Sequence, residues 1–346
     1  MKDPLVTPAM DDRHILGIIF GMTSAQALYV AHDLKLFSVL ADAPLSLAEL
    51  AARLSLRPRS VQALVSICCA QKLLRLDARG RYELSEVSRK FLLQESSTYM
   101  GAILDQGLRN PELSSFASLK ESLLTDAPQV YGGNDLFETN AQKEEQARAF
   151  TRCMHSKSMA AATAWPHVID LSGHRRLLDI GGGSGAHSIG VVSCWPHLQA
   201  TVYDRPLVCQ VAEEFIVDNG LQDRINTVHG DMWQDPFPAA DLHFYSDIFH
   251  DWPPEKCQFL AGKSYAEMDD GGRIILHEML FNDTKTGPLS VAAYNVRMMQ
   301  WTQGQQFSGG ELRNLLESVC FREIEVVPTG FGDWQMVTGV KVVPSC

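Results

Sequence analysis

A chain of 346 residues, 45% of them hydrophobic, is long enough for two domains with ample cores. Its 30 Lys and Arg against 41 Asp and Glu give a formal charge of −11, which argues against nucleic acid as a main partner because phosphate binding draws on a cationic excess. The 8 cysteines include the adjacent pair Cys68 and Cys69 but no C-x-x-C spacing, so neither zinc nor a disulfide framework is expected, and reduced thiols in a cytoplasmic protein are the simple reading.

The first element is an uncharged stretch over residues 15–31, punctuated by Gly17, Gly21, Thr23, Ser24 and Gln26 and preceded by an acidic start. That pattern suits neither a signal peptide nor a membrane span, and a helix buried at a domain or subunit contact is expected instead. Ser46 and Glu49 have capping-box spacing and open a short helix through Leu54. After Arg57-Pro58-Arg59-Ser60, residues 61–67 carry apolar side chains at helical spacing. Residues 73–76 and 81–84 flank Asp77-Ala78-Arg79-Gly80 as a hairpin, and helix, turn, helix and hairpin make a winged helix. Arg57, Arg59, Lys72, Arg75, Arg79 and Arg81 would let it touch DNA, but its second helix is mostly apolar past the first turn, which favours packing against a second subunit and roofing an active site. Polar, loop-rich sequence over residues 96–140 leads to a connecting helix over 141–163. The expected domains are 1–100, a helical connector at 101–165 and a catalytic domain at 166–346.

From Arg176 onward strands and helices alternate as a doubly wound α/β sheet requires, with strands expected at 176–180, 200–204, 225–229, 241–246 and 272–278. The last two strand runs, 323–328 and 335–342, have no helix between them and are expected to form an antiparallel hairpin at the sheet edge. The first strand ends in Asp179 and the loop Gly181-Gly182-Gly183-Ser184-Gly185, where glycines allow a sharp turn and close approach of a ligand. The second ends in Asp204, about 20 residues on, where such folds hold a ribose diol. The loop is shorter than a dinucleotide fingerprint and carries no Lys or Arg, and a further acid, Asp231, follows the third strand. A neutral loop with these acids suits an adenosine bearing a positive sulfonium, S-adenosyl-L-methionine; Asp231 taken alone could equally cap a turn. Arg205, Met232 and Ser246 complete the expected cofactor set with Asp179, Gly181, Gly183, Gly185, Asp204 and Asp231. The fourth strand runs into Asp247-Ile248-Phe249-His250-Asp251-Trp252-Pro253-Pro254, which puts His250 at a strand-to-helix junction facing the cleft, where it can take a proton from a substrate hydroxyl. No carboxylate cluster reads as a magnesium site, and no metal is expected.

These residues resemble the small-molecule O-methyltransferases that include plant caffeate and flavonoid enzymes, acetylserotonin methyltransferase and bacterial polyketide and carotenoid-pathway enzymes. The resemblance spans nearly the whole chain and is most specific in Leu177–Gly185, in His250-Asp251-Trp252-Pro253-Pro254-Glu255-Lys256-Cys257, and in the segments 287–289 and 302–305. It implies a seven-stranded Rossmann-like catalytic domain, an N-terminal winged-helix dimerisation domain and a homodimer that acts on a small molecule, not on nucleic acid or membrane. It also implies His250 as general base, steadied by Glu278 with Asp251 beside it. The family's second such acid falls at Gln306, whose amide can hold an imidazole by hydrogen bond but cannot balance its charge, and the lysine some plant members carry after the fourth strand is Ser246. Tyr294, Arg297, Met298 and Trp301 fall on the substrate-lining helix; Arg297 could grip an acceptor carboxylate or enolate, or pair internally with Glu278 or another acid. The function implied is O-methylation of an aromatic or polyketide-like metabolite. Transfer to nitrogen or carbon and non-methylating chemistry are the nearer alternatives, and a DNA-binding regulator the remoter one.

Overall fold

The structure is a computed structural model and describes residues 10–111, 115–130 and 144–342. It divides into two compact units, residues 1–109 and 110–346. The first holds helices α1 (Arg13–Asp33), α2 (Leu36–Val39), α3 (Leu47–Arg53) and α4 (Pro58–Ala70), the hairpin strands β1 (Leu74–Leu76) and β2 (Tyr82–Leu84), and helices α5 (Glu86–Phe91) and α6 (Gly101–Arg109). The Ser46/Glu49 capping box forms in both directions and starts α3. Leu36, Phe37, Leu50, Val61, Val65 and Leu84 make its core. Most of α1 takes no part in it: Ile15, Ile18, Ile19 and Met22, one helical face, are all exposed, and Ala31 and His32 alone among its residues are buried. This helix is also long and apolar enough to cross a bilayer by length and composition.

The second unit contains α7 (Phe116–Thr125), α8 (Glu144–Ala162), β3 (Arg176–Ile180), α9 (Ala186–Cys194), β4 (Gln199–Asp204), α10 (Pro206–Asp218), β5 (Ile225–His229), β6 (Leu242–Ser246), α11 (Pro254–Glu267), β7 (Arg273–Met279), α12 (Leu289–Trp301), α13 (Gly309–Ser318), β8 (Arg322–Pro328) and β9 (Trp334–Val340). The sheet order is β5-β4-β3-β6-β7-β9-β8. The first five strands are parallel, and β9 runs antiparallel to both β7 and β8, so the terminal hairpin closes one edge as its missing helix requires. Both faces are buried, which is why successive residues split between two cores: Tyr245, Ile274 and Leu276 pack with Phe249, Leu260 and Leu316, whereas Phe244 and Ile275 pack with Trp165, Val191 and Val202.

Among the described residues, 101–165 form no separate connector. Helix α6 packs on α1 in the first unit, while α8 packs on α9 and α10 in the second, because its buried stripe of Ala147, Thr151, Met159 and Ala162 needs that surface. Arg148 and Arg152 on α8 both reach Glu214 of α10.

Candidate active site

At the carboxyl end of β3 the chain turns through Gly181, Gly183 and Gly185, with φ of 66°, 58° and 74°, a region costly for residues with a Cβ. Gly182 is required for a different reason: a Cβ there would lie 2.7 Å from Cγ of Asp179. Asp179 itself is buried and accepts from the Ser188 hydroxyl at 2.7 Å, and burial pushes its carboxyl up to about 7. The loop is pinned to the next strand by Asp204, whose Oδ2 accepts from the Gly183 amide at 2.9 Å and whose Oδ1 accepts from the Arg205 amide at 2.7 Å. Burial raises the Asp204 carboxyl against the pull of those two donors. Asp231 does cap its turn, accepting from the Trp233 amide at 2.9 Å, and also pairs with Arg205 at 3.1 Å. Met232 packs partly buried against the core. From α8, His155 lies 2.8 Å from the Ser184 hydroxyl and stacks on Phe215.

Beyond the end of β6, the strand next to β3, His250 sits in a 3-10 turn, Phe249–Asp251, and is buried. Its Nδ1 is 2.9 Å from Glu278 Oε2 and 3.4 Å from Asp247 Oδ1, and its Nε2 is 3.6 Å from Asp251 Oδ1. Glu278 is fixed at the end of β7 because its Oε1 accepts from the amides of Ile248 and Phe249, at 3.2 and 3.0 Å. Burial would push the His250 imidazole down, but Glu278, Asp251 and Asp247 outweigh it and lift it to about 9. Asp251 is lifted to about 7 by burial, with His250 opposing. The Tyr294 ring meets His250 edge-on at 5.2 Å.

Lys157, on α8, donates to Asp247 Oδ2 at 2.7 Å and to the Tyr294 hydroxyl, with its ammonium 4.2 Å from the Tyr294 ring centre and 5.3 Å from that of Trp334. Behind this cluster the Ser246 hydroxyl is 2.8 Å from His277 Nδ1, and His277 stacks on Trp334. Trp165 Nε1 donates to His187 Nδ1 at 3.2 Å. Burial holds His187 down to about 4 and His277 well below its usual range, so both are neutral.

The packing bears on three readings of the sequence. The fold does assemble a carboxylate cluster: side-chain atoms of Asp247, His250 and Glu278 come within 4.8 Å of one another. They arrive from separate segments, which no local motif displays, and the Lys157 ammonium already supplies positive charge to Asp247. Gln306 does not hold the imidazole; it is buried, but neither atom of its side-chain amide has a partner, since Nδ1 is taken up by Glu278. Arg297 forms no pair with Glu278, whose Oε2 lies 2.9 Å from His250 Nδ1 and whose Oε1 accepts from backbone amides; it is exposed, with its guanidinium 5.1 Å from the Trp301 ring centre. Met298 and Trp301 are buried on the same helix, and Asn295 Oδ1 accepts from the Gln306 amide N–H.

A family model of the O-methyltransferase domain matches residues 116–322, and one of the O-methyltransferase dimerisation domain matches residues 16–94. The chain belongs to the O-methyltransferase family. This O-methyltransferase is 30% identical over 326 residues to the 3-hydroxy-5-methyl-1-naphthoate 3-O-methyltransferase of Streptomyces sahachiroi, covering 93% of each chain. It is 30% identical over 325 residues to the acetylserotonin O-methyltransferase of Gallus gallus, covering 90% of this chain and 92% of the relative. Human N-acetylserotonin methyltransferase, solved in complex with SAM, matches 98% of this chain with all of its own, at a TM-score of 0.87 and 26% identity. The enzyme is an S-adenosylmethionine-dependent O-methyltransferase of small molecules, and its first unit, with the exposed apolar face of α1, carries the family's dimerisation domain. The glycine loop and half-buried Asp204 fit the cofactor chemically: the loop carries no Lys or Arg as a phosphate would require, and Arg205 is spent on Asp231.

Sequence reasoning passed over Lys157 and gave Asp247 no role. One signal was available for the lysine: it is the last Lys, Arg, Asp or Glu before Asp170, on a helix whose remainder is apolar and buried.

Proposed function

We propose that the enzyme methylates a hydroxyl of a small aromatic or polyketide-like acceptor in the cytoplasm, with His250 as general base. The observation that carries this reading is the placement of His250: buried, with Nδ1 2.9 Å from the Glu278 carboxylate and Nε2 turned away from it. S-Adenosylmethionine, when bound, supplies a methyl group already activated on a sulfonium. Asp204 would take its ribose, Asp231 and Met232 its adenine end, and the loop of Gly181, Gly183 and Gly185 its closest backbone contacts. Tyr294, Met298 and Trp301 offer flat and adaptable apolar walls suited to an aromatic acceptor. Much of the acceleration then comes from holding the acceptor oxygen in line, while His250 receives the proton at Nε2 with Asp251 beside it. The scattered cysteines, without any C-x-x-C spacing, suit a reducing compartment.

The three carboxylates favour His250 in its protonated form, so an acceptor whose hydroxyl ionises readily needs the least help from it. A panel of phenols, enols and amines with methyl-labelled cofactor tests the reading. Label should enter oxygen, and His250→Ala should lower turnover about 10²–10⁴-fold on ordinary phenols, less on acidic ones, with cofactor binding intact. Near wild-type turnover of His250→Ala on the natural acceptor would overturn it.

A further inference from the structure

Asp247 stands between Lys157 and His250. Its backbone is left-handed, with φ of 55°, and its amide donates to the His277 carbonyl at 3.3 Å, so its carboxylate is held at the end of β6. Oδ2 receives the Lys157 ammonium, and Oδ1, buried and without a hydrogen-bond partner, lies 3.4 Å from His250 Nδ1. On the other flank Lys157 holds the hydroxyl of Tyr294, whose ring abuts His250. A lysine this far from water is costly unless paired, and its pairing spans α8, the end of β6 and α12.

We propose that Lys157 is a positioning residue for proton transfer: by fixing Asp247 and Tyr294 on either side of His250 and offsetting the charge of Asp247, it sets how firmly His250 keeps its proton. For catalysis the inference rests on His250 as the base; for the titration of His250 it does not. The charged and titratable groups around His250 are Glu278 from β7, Asp251 from its own turn, Asp247 from β6, Tyr294 from α12 and Lys157 from α8. Beyond them lie His187, held neutral by burial, and the Cys257 thiol, which burial keeps protonated and which donates to the Phe249 carbonyl. Three acids thus act on the imidazole against one ammonium. Losing that ammonium leaves Asp247 uncompensated, and the imidazolium is then stabilised further.

The test is a pair of variants, Lys157→Met and Lys157→Arg, in the full-length protein, read by the NMR titration of histidine-labelled His250 and by the pH profile of kcat/KM. Lys157→Met should raise the His250 midpoint by about one pH unit. The acid limb of the profile should rise with it, for about a tenfold loss of kcat/KM at neutral pH, and Lys157→Arg should reverse both shifts at least halfway. In an Asp247→Asn background the same lysine substitution should move the midpoint little, and this double variant carries no unpaired buried charge if Lys157→Met alone folds poorly. A folded Lys157→Met protein with an unmoved midpoint, or an equal shift with and without Asp247, overturns the proposal. A midpoint that moves while the acid limb stays put upholds the role of Lys157 in setting the charge of His250 and instead defeats His250 as the base.

Discussion

The two ends of this site are built from different materials. At the cofactor end the main chain dominates: left-handed glycines shape the loop, and Asp204 is held by two backbone amides within one strand-and-turn step. At the proton end six side chains, Lys157, Asp247, His250, Asp251, Glu278 and Tyr294, come from four regions of the chain and hold one another. A backbone cradle tolerates change wherever a side chain points away from it. A network of buried charges does not, because each deletion strands its partners.

That contrast predicts graded losses. The largest is expected for Glu278→Ala, which leaves a buried imidazole and two amides without their acceptor: about 3–5 kcal/mol of stability by denaturant unfolding, together with a 10²-fold or greater fall in turnover. The next is a pH effect. His250 is lifted from the usual histidine range near 6.5 to about 9, so its stabilising contribution is complete below about pH 6.5 and is lost as pH rises through about 9. Unfolding measured from pH 6 to 10 should show a fall of no more than about 3 kcal/mol that His250→Gln largely removes. Smaller effects belong to the cofactor end. Asp204→Ala should weaken S-adenosylmethionine binding by about 1.5–3 kcal/mol in calorimetry, and Gly182→Ala, whose methyl meets Asp179, by about 1–3 kcal/mol. Arg205→Ala removes only a half-exposed ion pair with Asp231 and should cost under about 1 kcal/mol. An Arg205 effect as large as that of Glu278 would erase the distinction between the two ends.

The same contrast explains what the residue string displayed. The strands, the terminal hairpin and the glycine loop are local patterns, and each strand was placed to within two residues of where it lies, because alternation and turn residues act over short spans. Asp179 and Asp204 stood out for the same reason, each closing a strand. His250 and Glu278 could be named through strand ends and family likeness. Lys157 could not, since 90 residues separate it from Asp247 and only the packing of α8 brings them together. Arg297 shows the converse limit: family likeness assigned it to the substrate-lining helix, but the exposure of its side chain depends on packing that a likeness of sequence does not encode.

Gly304 carries a consequence for how this enzyme could change its substrate. A Cβ at that position would lie 2.1 Å from the His250 carbonyl oxygen and 2.4 Å from the Trp252 nitrogen, so the loop leading to Gln306 is pressed directly on the catalytic turn. Bulk added there displaces His250 along with the loop, and on the proposal that His250 is the base, selection for a new acceptor would pay in rate. Ala293, Val296 and Arg297, exposed on α12, have no such coupling. On the proposed reading, diversification of acceptor preference is channelled onto that helix, leaving the turn of His250 as an inherited constant.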